Sequence, residues 1–554
     1  MMRSGGQLLV DCLLGLGATH AFGVPGESYL AVLDALHDTR GRLDYVTCRH
    51  EGGAAFMAAA WGKLTGNPGI AMVTRGPGAT NAAIGVHTAM QDHAPMILFV
   101  GQVGTDLRGR EAFQELDYRA VFGTMAKWVV EVDRVERLPE LMSRAWTVAL
   151  GGQPGPVVMA LPEDMLSALT DAPPLTHPLR ISEPAPDPAA LGTALDLIAG
   201  AARPLILLGG CTWRAEGKAA LQAFAEASDI PVLVDFRCHD LIDNHSAVYA
   251  GEAGVGMPAH VARLLREADV ILAVASSFGE MTADAYTLMS VPDPVQRLIH
   301  VHADAAELGK IYRPTLGITS GPNRFAAALR PVKGDWGAWR AWAREGYLAS
   351  LDAPPQPSPV DMAAVSAHLR EVLPPDVIVT NGAGNFAVWP NKHLTYGPKA
   401  RLLAPQSGAM GYGVAAAVAA KIACPDRLVV CFAGDGDFQM TGAELATARQ
   451  AGVAVVILIL NNGIYGTIRA HQERHFPARV SGTDMVNPDF VLLAQAHGLH
   501  AERVETTADF ADAFARACAA PAGAVLDLVI AAEALTPRAS LSQIRAAALA
   551  RQGD

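Results

Sequence analysis

Short, almost wholly apolar runs recur along the chain, and stretches of helical spacing separate them. The first group is Asp44–Cys48, Gly69–Val73 and Met96–Val100. A second comprises Pro204–Leu208, Pro231–Val234, Val270–Ala275 and Leu298–His302. A third comprises Val377–Thr380, Leu428–Phe432 and Val453–Leu460. Runs this apolar suit strands buried on both faces, as in parallel sheets covered by helices. Another strand is read at Trp128–Val132. Near the start, Leu8, Leu9, Cys12, Leu13 and Leu16 fall at helical spacing and Asp11 interrupts the run. Met1 to Phe22 therefore predicts an amphipathic helix of the folded protein, not a signal segment. The longest clean apolar run, Val453–Leu460, is far short of the roughly 18–20 residues a membrane helix needs.

Two Pro-rich stretches, Asp171 to Pro188 and Asp352 to Pro359, punctuate this pattern as extended linkers. They divide the chain into segments 1–170, 190–345 and 358–554. Each alternates strand and helix, so three doubly wound α/β domains with parallel sheets are expected. In such sheets ligands sit beyond the carboxyl ends of the strands.

Composition narrows the classes. The 554 residues are 51% hydrophobic and 18% charged, with a net charge of −12. Disorder is excluded, because disordered chains are charge-rich and poor in apolar residues. The acidic balance argues against nucleic acid or an anionic membrane as a partner. Seven cysteines are spread along the chain without a C-x-x-C pair. Reduced thiols and a cytoplasmic location are expected.

The strongest chemical signal lies in the third segment. The strand Leu428–Phe432 leads into Gly434-Asp435-Gly436, and Val453–Leu460 leads into Asn461-Asn462-Gly463. A helix is expected between them at Thr441–Ala451. Asp435 and Asn462 are 27 residues apart, the length of one βαβ crossover. The unit brings both to one sheet edge. Either turn alone is common in α/β proteins; the pair at this spacing is not. A carboxylate, an amide oxygen and a carbonyl are hard ligands suited to Mg²⁺ beside a phosphate. The flanking glycines let backbone approach an anion closely.

These residues resemble the cofactor motif of thiamine diphosphate (ThDP) enzymes. Within that family the chain is similar to the acetolactate synthase-like branch. The segments that carry this likeness include Phe22–Glu27, Arg49–Ala58, Arg75–Asn81, Phe99–Val103, Glu111–Glu115, Gly408–Gly413 and Met440–Gln450. The resemblance implies a pyrimidine-binding domain at 1–170, a central Rossmann-like domain at 190–345 and a diphosphate-binding domain at 358–554. It implies that Asp435, the Asn462 side chain and the Ile464 carbonyl hold Mg²⁺, with Gly26, Asn385, Gly408, Gly434 and Gly436 beside the cofactor. Glu51 stands at the activating glutamate, and Met410 at the apolar wedge that bends the cofactor. Gln102 and His471 are expected at the reaction centre. Phe113, Gln114, Lys127 and His471 are expected to line the substrate pocket. The implied reaction is decarboxylation of a 2-keto acid followed by carboligation. The implied assembly is a homodimer or homotetramer in which Glu51 of one copy faces the diphosphate domain of another.

The likeness has three departures. His471 stands nine residues after Asn462, where acetolactate synthases carry an acceptor-selecting Trp. Phe386 replaces a His, leaving Asn385 as the polar candidate. Ala273–Leu288 lacks the arginines of the flavin-bound synthases, so FAD is not expected. His471 and His475 could share a helix face, but no third zinc ligand accompanies them. Simple decarboxylation in the manner of benzoylformate decarboxylase, another ThDP-dependent C–C lyase, and a non-catalytic ThDP-fold protein remain as alternatives.

Overall fold

The alternation folds as three parallel sheets of six strands each. The computed structural model describes residues 2–553; Met1 and Asp554, at the outer ends of the first and third segments, lie outside the described residues. The first sheet comprises β1 (His20–Gly23), β2 (Asp44–Thr47), β3 (Gly69–Val73), β4 (Met96–Gln102), β5 (Trp128–Glu131) and β6 (Pro156–Pro162). Its order is β2-β1-β3-β4-β6-β5. The second comprises β7 (Pro204–Leu208), β8 (Val232–Val234), β9 (Tyr249–Glu252), β10 (Val270–Val274), β11 (Arg297–His302) and β12 (Leu316–Thr319), ordered β9-β8-β7-β10-β11-β12. This is the 3-2-1-4-5-6 order of a Rossmann sheet. The third comprises β13 (Ile378–Asn381), β14 (Arg401–Leu403), β15 (Val429–Gly434), β16 (Val456–Asn461), β17 (His500–Val504) and β18 (Ala524–Val529), ordered β14-β13-β15-β16-β18-β17. The first and third sheets thus share one strand order.

The N-terminal pattern forms helix α1 (Gly5–Leu16). Ser4 and Gln7 close a capping box at its start, and Gly17, at φ 89°, ends it in the left-handed region that glycine tolerates. The leucines expected on one face are buried. The helix expected at Thr441–Ala451 differs in extent. Helix α5 (Asp435–Thr441) starts directly from the end of β15, turns through a 3-10 segment at Gly442–Glu444 and resumes as α6 (Leu445–Ala451). The break falls where Thr441 leaves helical geometry, with its hydroxyl donating to Gly411 O at 2.6 Å.

Two helices join the first unit to the third: α2 (Glu51–Thr65) after β2, and α4 (Tyr412–Ala423) after β14. Both are dominated by Ala and Gly, and nearly every residue of α4 is fully buried. The small side chains let the backbones approach, and Phe56 and Tyr412 meet edge to face at 5.6 Å across the seam. One apolar core therefore runs through both units. Helix α3 (Pro77–Gln91) packs on α2, where a Cβ on Gly85 would lie 2.3 Å from Ala55.

A buried ion pair reinforces the seam. Lys63 Nζ reaches Asp92 at 2.9 Å and Ala404 O at 2.8 Å, and Gln406 N–H donates to Asp92 at 2.6 Å. Burial opposes charge on Lys63, but the Asp92 carboxylate outweighs it and holds the ammonium pKa above its ordinary value. Removing one partner leaves an uncompensated buried charge. Lys63→Met should therefore lower stability by about 3–5 kcal/mol, read from the urea midpoint. Pairing it with Asp92→Asn should recover part of that loss. An unchanged midpoint in the single variant would show that the pair carries no weight.

Candidate active site

The third sheet presents its site where β13, β15 and β16 end side by side. Asp435 opens α5 at the tip of β15 and is buried. Oδ1 accepts from Gly436 N–H at 2.9 Å. Oδ2 accepts from Gly463 N–H at 2.7 Å, Asn462 N–H at 3.2 Å and Asn487 Nδ2 at 2.8 Å. Burial raises the Asp435 pKa, and these donors work against that rise. Asp435 and Asn462 therefore meet as their spacing predicted. The Asn462 side-chain oxygen accepts from Ile464 N–H at 3.2 Å. Asn487 was invisible to spacing arguments, because only the folded loop brings it back 52 residues from Asp435.

Asn385 lies at the end of β13, in a 3-10 turn. Its oxygen accepts from Thr467 at 3.0 Å, while its buried Nδ2 has no partner among the described residues. A buried donor without an acceptor costs about 1–3 kcal/mol, so this edge is suited to an anionic ligand. Glycine is required around it. A Cβ on Gly434 would meet the Phe386 ring at 2.8 Å, and one on Gly436 would meet Tyr465 at 2.7 Å. The donor, the carboxylate and the close-packed glycines together fit a diphosphate with a divalent cation.

Met410 sits half-buried in the turn before α4, between Gly408 at φ 67° and Gly411 at φ 84°. That turn is tied to α5 by Asp437, whose Oδ1 accepts from Gly411 N–H at 2.9 Å and Ala383 N–H at 3.1 Å. Burial pushes the Asp437 pKa up to about 7. The second aspartate of Gly-Asp-Gly-Asp is the sequence signal for this residue.

The first unit carries the other cluster. Glu51 is the first residue of α2, capped by the His50 ring accepting from Gly52 N–H at 3.0 Å. Its Oε2 accepts from Asn81 Nδ2 at 2.9 Å. Gly26 packs on Thr74, where a Cβ would come within 2.5 Å. The loop carrying Phe113 and Gln114 lies over the Gly76 turn, and Phe113 is 72% exposed with Arg75 at 5.9 Å from its ring centroid. Among the described residues, no hydrogen bond joins this cluster to the Asp435 cluster.

Two expected residues are occupied elsewhere. Lys127 Nζ donates to the carbonyls of Val148 at 2.5 Å, Gly151 at 2.7 Å and Gln153 at 2.7 Å. Its ammonium closes the end of the helix Leu138–Leu150, and burial lowers its pKa to about 8. The substrate-pocket role expected for it is corrected: no donor remains for a keto acid. Gln102 is likewise buried, donating to Leu116 O at 3.0 Å and accepting from Val103 N–H at 3.0 Å. It borders a small polar cleft lined only by first-unit residues.

His471 is exposed on helix α7 (Gly466–His475), which begins just beyond Ile464. Thr467, His471 and Arg474 share one face at i, i+4 and i+7 and border a cavity of about 1320 Å³ between the three units. Arg474 Nη1 lies 3.3 Å from His471 Nδ1, and His475 stacks on His471. Partial burial and these neighbours lower the His471 pKa. Among the described residues, no group of three His, Cys, Asp or Glu side chains could hold a metal. No helix among them is long and apolar enough to cross a membrane.

The central sheet places a carboxyl at its own switch point. Asp235, beyond β8, is buried with its Oδ1 accepting from Ser276 at 3.0 Å. A Cβ on Gly209, at the tip of β7, would lie 2.0 Å from its Oδ2.

Residues 3–121 match the N-terminal TPP binding domain of thiamine pyrophosphate enzymes, residues 191–329 their central domain and residues 382–528 their C-terminal TPP binding domain. The chain belongs to the thiamine pyrophosphate enzymes, in their acetolactate synthase-like branch. It is 30% identical over 505 residues to the acetolactate synthase isozyme 2 large subunit of Escherichia coli K12, covering 90% of this chain and 91% of that one. It is 32% identical to the acetolactate synthase large subunit of Parasynechococcus marenigrum, covering 90% and 83%. To the mitochondrial acetolactate synthase catalytic subunit of Saccharomyces cerevisiae it is 31% identical, covering 91% and 77%.

Asp235 supplies a pH test of the central unit. In the unfolded chain this acid ionises near 3.8, whereas burial pushes its pKa up to about 7. Between those values the folded state holds a proton that the unfolded state has released, so stability falls as pH rises. Asp235→Asn keeps an acceptor for Ser276 and removes the titration. The wild-type melting temperature should decline more steeply than the variant's from about pH 4 to about pH 7. Parallel profiles would contradict the assignment.

Proposed function

We propose that this protein decarboxylates a 2-keto acid and joins the product fragment to a second carbonyl compound, using ThDP and Mg²⁺. The observation that carries this reading is the Asp435 amide cage beside the unpartnered Asn385 donor. It lies in a chain about 30% identical to acetolactate synthases over most of its length. ThDP, when bound, supplies the nucleophilic carbon and the electron sink for decarboxylation.

The chain's own residues have distinct tasks. Asp435, the Asn462 side chain and the Ile464 carbonyl would hold Mg²⁺, and Asn385 Nδ2 would donate to the diphosphate. Glu51, held by Asn81, would keep a proton at its carboxyl for the pyrimidine ring of the bound cofactor. Met410 would supply an apolar contact for the bound cofactor. On the substrate side, α7 presents His471 and Arg474. With Lys127 taken up by carbonyls, Arg474 is the cation for the substrate carboxylate. His471 in the acceptor position favours a polar acceptor.

A cofactor that meets both Glu51 and Asp435 would bridge two clusters that share no hydrogen bond among the described residues, which supports a homodimer or a dimer of dimers with the site between copies. We divide the chain into the pyrimidine domain 1–170, the central domain 190–345 and the diphosphate domain 358–554. We infer that the protein works without FAD, because the Asp235 carboxyl occupies the tip of β7 where a Rossmann sheet receives a diphosphate. A flavin absorption band in purified protein would overturn this. Seven unpaired cysteines suit a reducing, cytoplasmic setting.

Chiral product analysis on pyruvate and a panel of 2-keto acids tests the reaction. A 2-hydroxy ketone product supports carboligation, whereas aldehyde alone moves the reading to a decarboxylase. Glu51→Gln should retain ThDP binding and lose turnover by about 10²–10⁴-fold, the usual scale of acid–base assistance. Wild-type rates in that variant would remove Glu51 from its role. Asp435→Ala should abolish the Mg²⁺ dependence of ThDP binding in calorimetry, and tight Mg²⁺-dependent binding in the variant would refute the cation site.

A further inference from the structure

Glu444 ends the 3-10 segment between α5 and α6, nine residues beyond Asp435, and is fully buried. Its carboxylate reaches into the other unit. Oε1 accepts from the backbone N–H of Arg49 at 3.2 Å and of His50 at 3.0 Å. Oε2 accepts from Arg49 N–H at 3.3 Å and from the Thr447 hydroxyl at 2.5 Å. Gly53 makes room for it, since a Cβ there would stand 2.3 Å from Oε1. Two further contacts flank the bridge: Arg49 Nη2 donates to Gln450 at 2.7 Å, and the Thr447 hydroxyl approaches Thr47 O at 3.4 Å. Arg49 and His50 immediately precede Glu51. Beyond them, Asn81 is the one hydrogen-bond partner of the Glu51 side chain among the described residues.

The arrangement is costly without a purpose. A buried carboxylate must be compensated, and burial raises the Glu444 pKa while the Thr447 hydroxyl and the two amides work against that rise. The carboxylate also lies at the start of α2, where the helix dipole favours negative charge. If it were absent, two partly buried amides beside Glu51 would lose their acceptor.

We infer that Glu444 is a positioning residue: reaching from the third unit, it fixes the Arg49–His50 turn and so sets where Glu51 delivers its carboxyl. This inference rests on the proposed role of Glu51 and adds a role for a residue in a different sheet. One consequence is that the glutamate a chain offers to one cofactor is held by the same helix–turn–helix that carries the cation ligand for another.

The test uses the full chain with ThDP and Mg²⁺. Glu444→Ala should slow exchange of the ThDP C2 proton for deuterium by about 10- to 100-fold, the scale of a small misplacement of a reacting group. It should lower kcat in step and leave KM and ThDP affinity near wild type. Gly53→Ala, which displaces the carboxylate instead of deleting it, should act in the same way. Glu444→Gln keeps an acceptor for both amides and should restore most of the rate. Glu444→Ala added to Glu51→Gln should be no slower than Glu51→Gln alone, because the two lie on one path.

In the protein without cofactor, backbone deuterium uptake over residues 47–53 should rise in Glu444→Ala and not in Glu444→Gln. Unchanged C2 exchange in Glu444→Ala, or a double variant slower by the product of the two losses, overturns the inference. Unchanged deuterium uptake over 47–53 overturns it equally. Failure of the wild type to bind ThDP would instead remove the functional reading beneath it. Should Glu444→Ala not fold, C2 exchange and deuterium uptake over residues 47–53 in Gly53→Ala decide the question: both must move as stated for Glu444→Ala, and wild-type values overturn the inference.

Discussion

Close approach of two small-residue helices is the constraint on which the rest depends. Helices α2 and α4 approach through faces rich in Gly and Ala, with the Phe56–Tyr412 ring pair as the large contact across the seam. Each follows the equivalent strand of its sheet, β2 or β14, and the two sheets share one order. The seam therefore sets two topologically equivalent units against each other. The starts of the paired helices carry Glu51 in one unit and the Met410–Gly411 turn in the other. A bulkier residue in the seam would push apart the units that position both.

The equivalence extends to the anion-facing turns. After β3 the chain runs through Gly76-Pro77-Gly78 into α3, and after β15 it runs through Gly434-Asp435-Gly436 into α5. The same architectural position has diverged chemically. One turn opens with proline and has no carboxylate in its helix start, whereas the other opens with an aspartate gathered by three backbone amides and Asn487. A single kind of sheet edge thus serves a ring-facing cluster in one unit and a phosphate-facing cluster in the other.

What was legible in the sequence was local. Asp435 and Asn462 could be paired because a βαβ crossover has a fixed length, and the three parallel sheets followed from apolar runs with no alternation. What stayed hidden was set by distant contacts. Lys127 looked available as a cation, yet three carbonyls at the end of a helix take it up. Gln102 looked like a reaction-centre amide, yet its side chain is bonded within the first unit, to Leu116 O, Glu131 and Val103 N–H. Glu444 carried no spacing signal, because its partners lie about 395 residues away. Motifs report the groups that meet a ligand; the groups that hold those motifs in place are visible only in the fold.

The seam also governs how the molecule comes into being. Helix α2 ends at Thr65 and α4 begins at Tyr412, so roughly 350 residues must emerge between them, taking about 20–70 s at usual synthesis rates. Throughout that interval the side of α2 that faces α4 has no partner. The central unit folds meanwhile on its own core, as an insertion between two halves of one globule. The last-made segment is then the one that completes the first-made, and a chain released early would expose a Gly- and Ala-rich face that belongs in an interior.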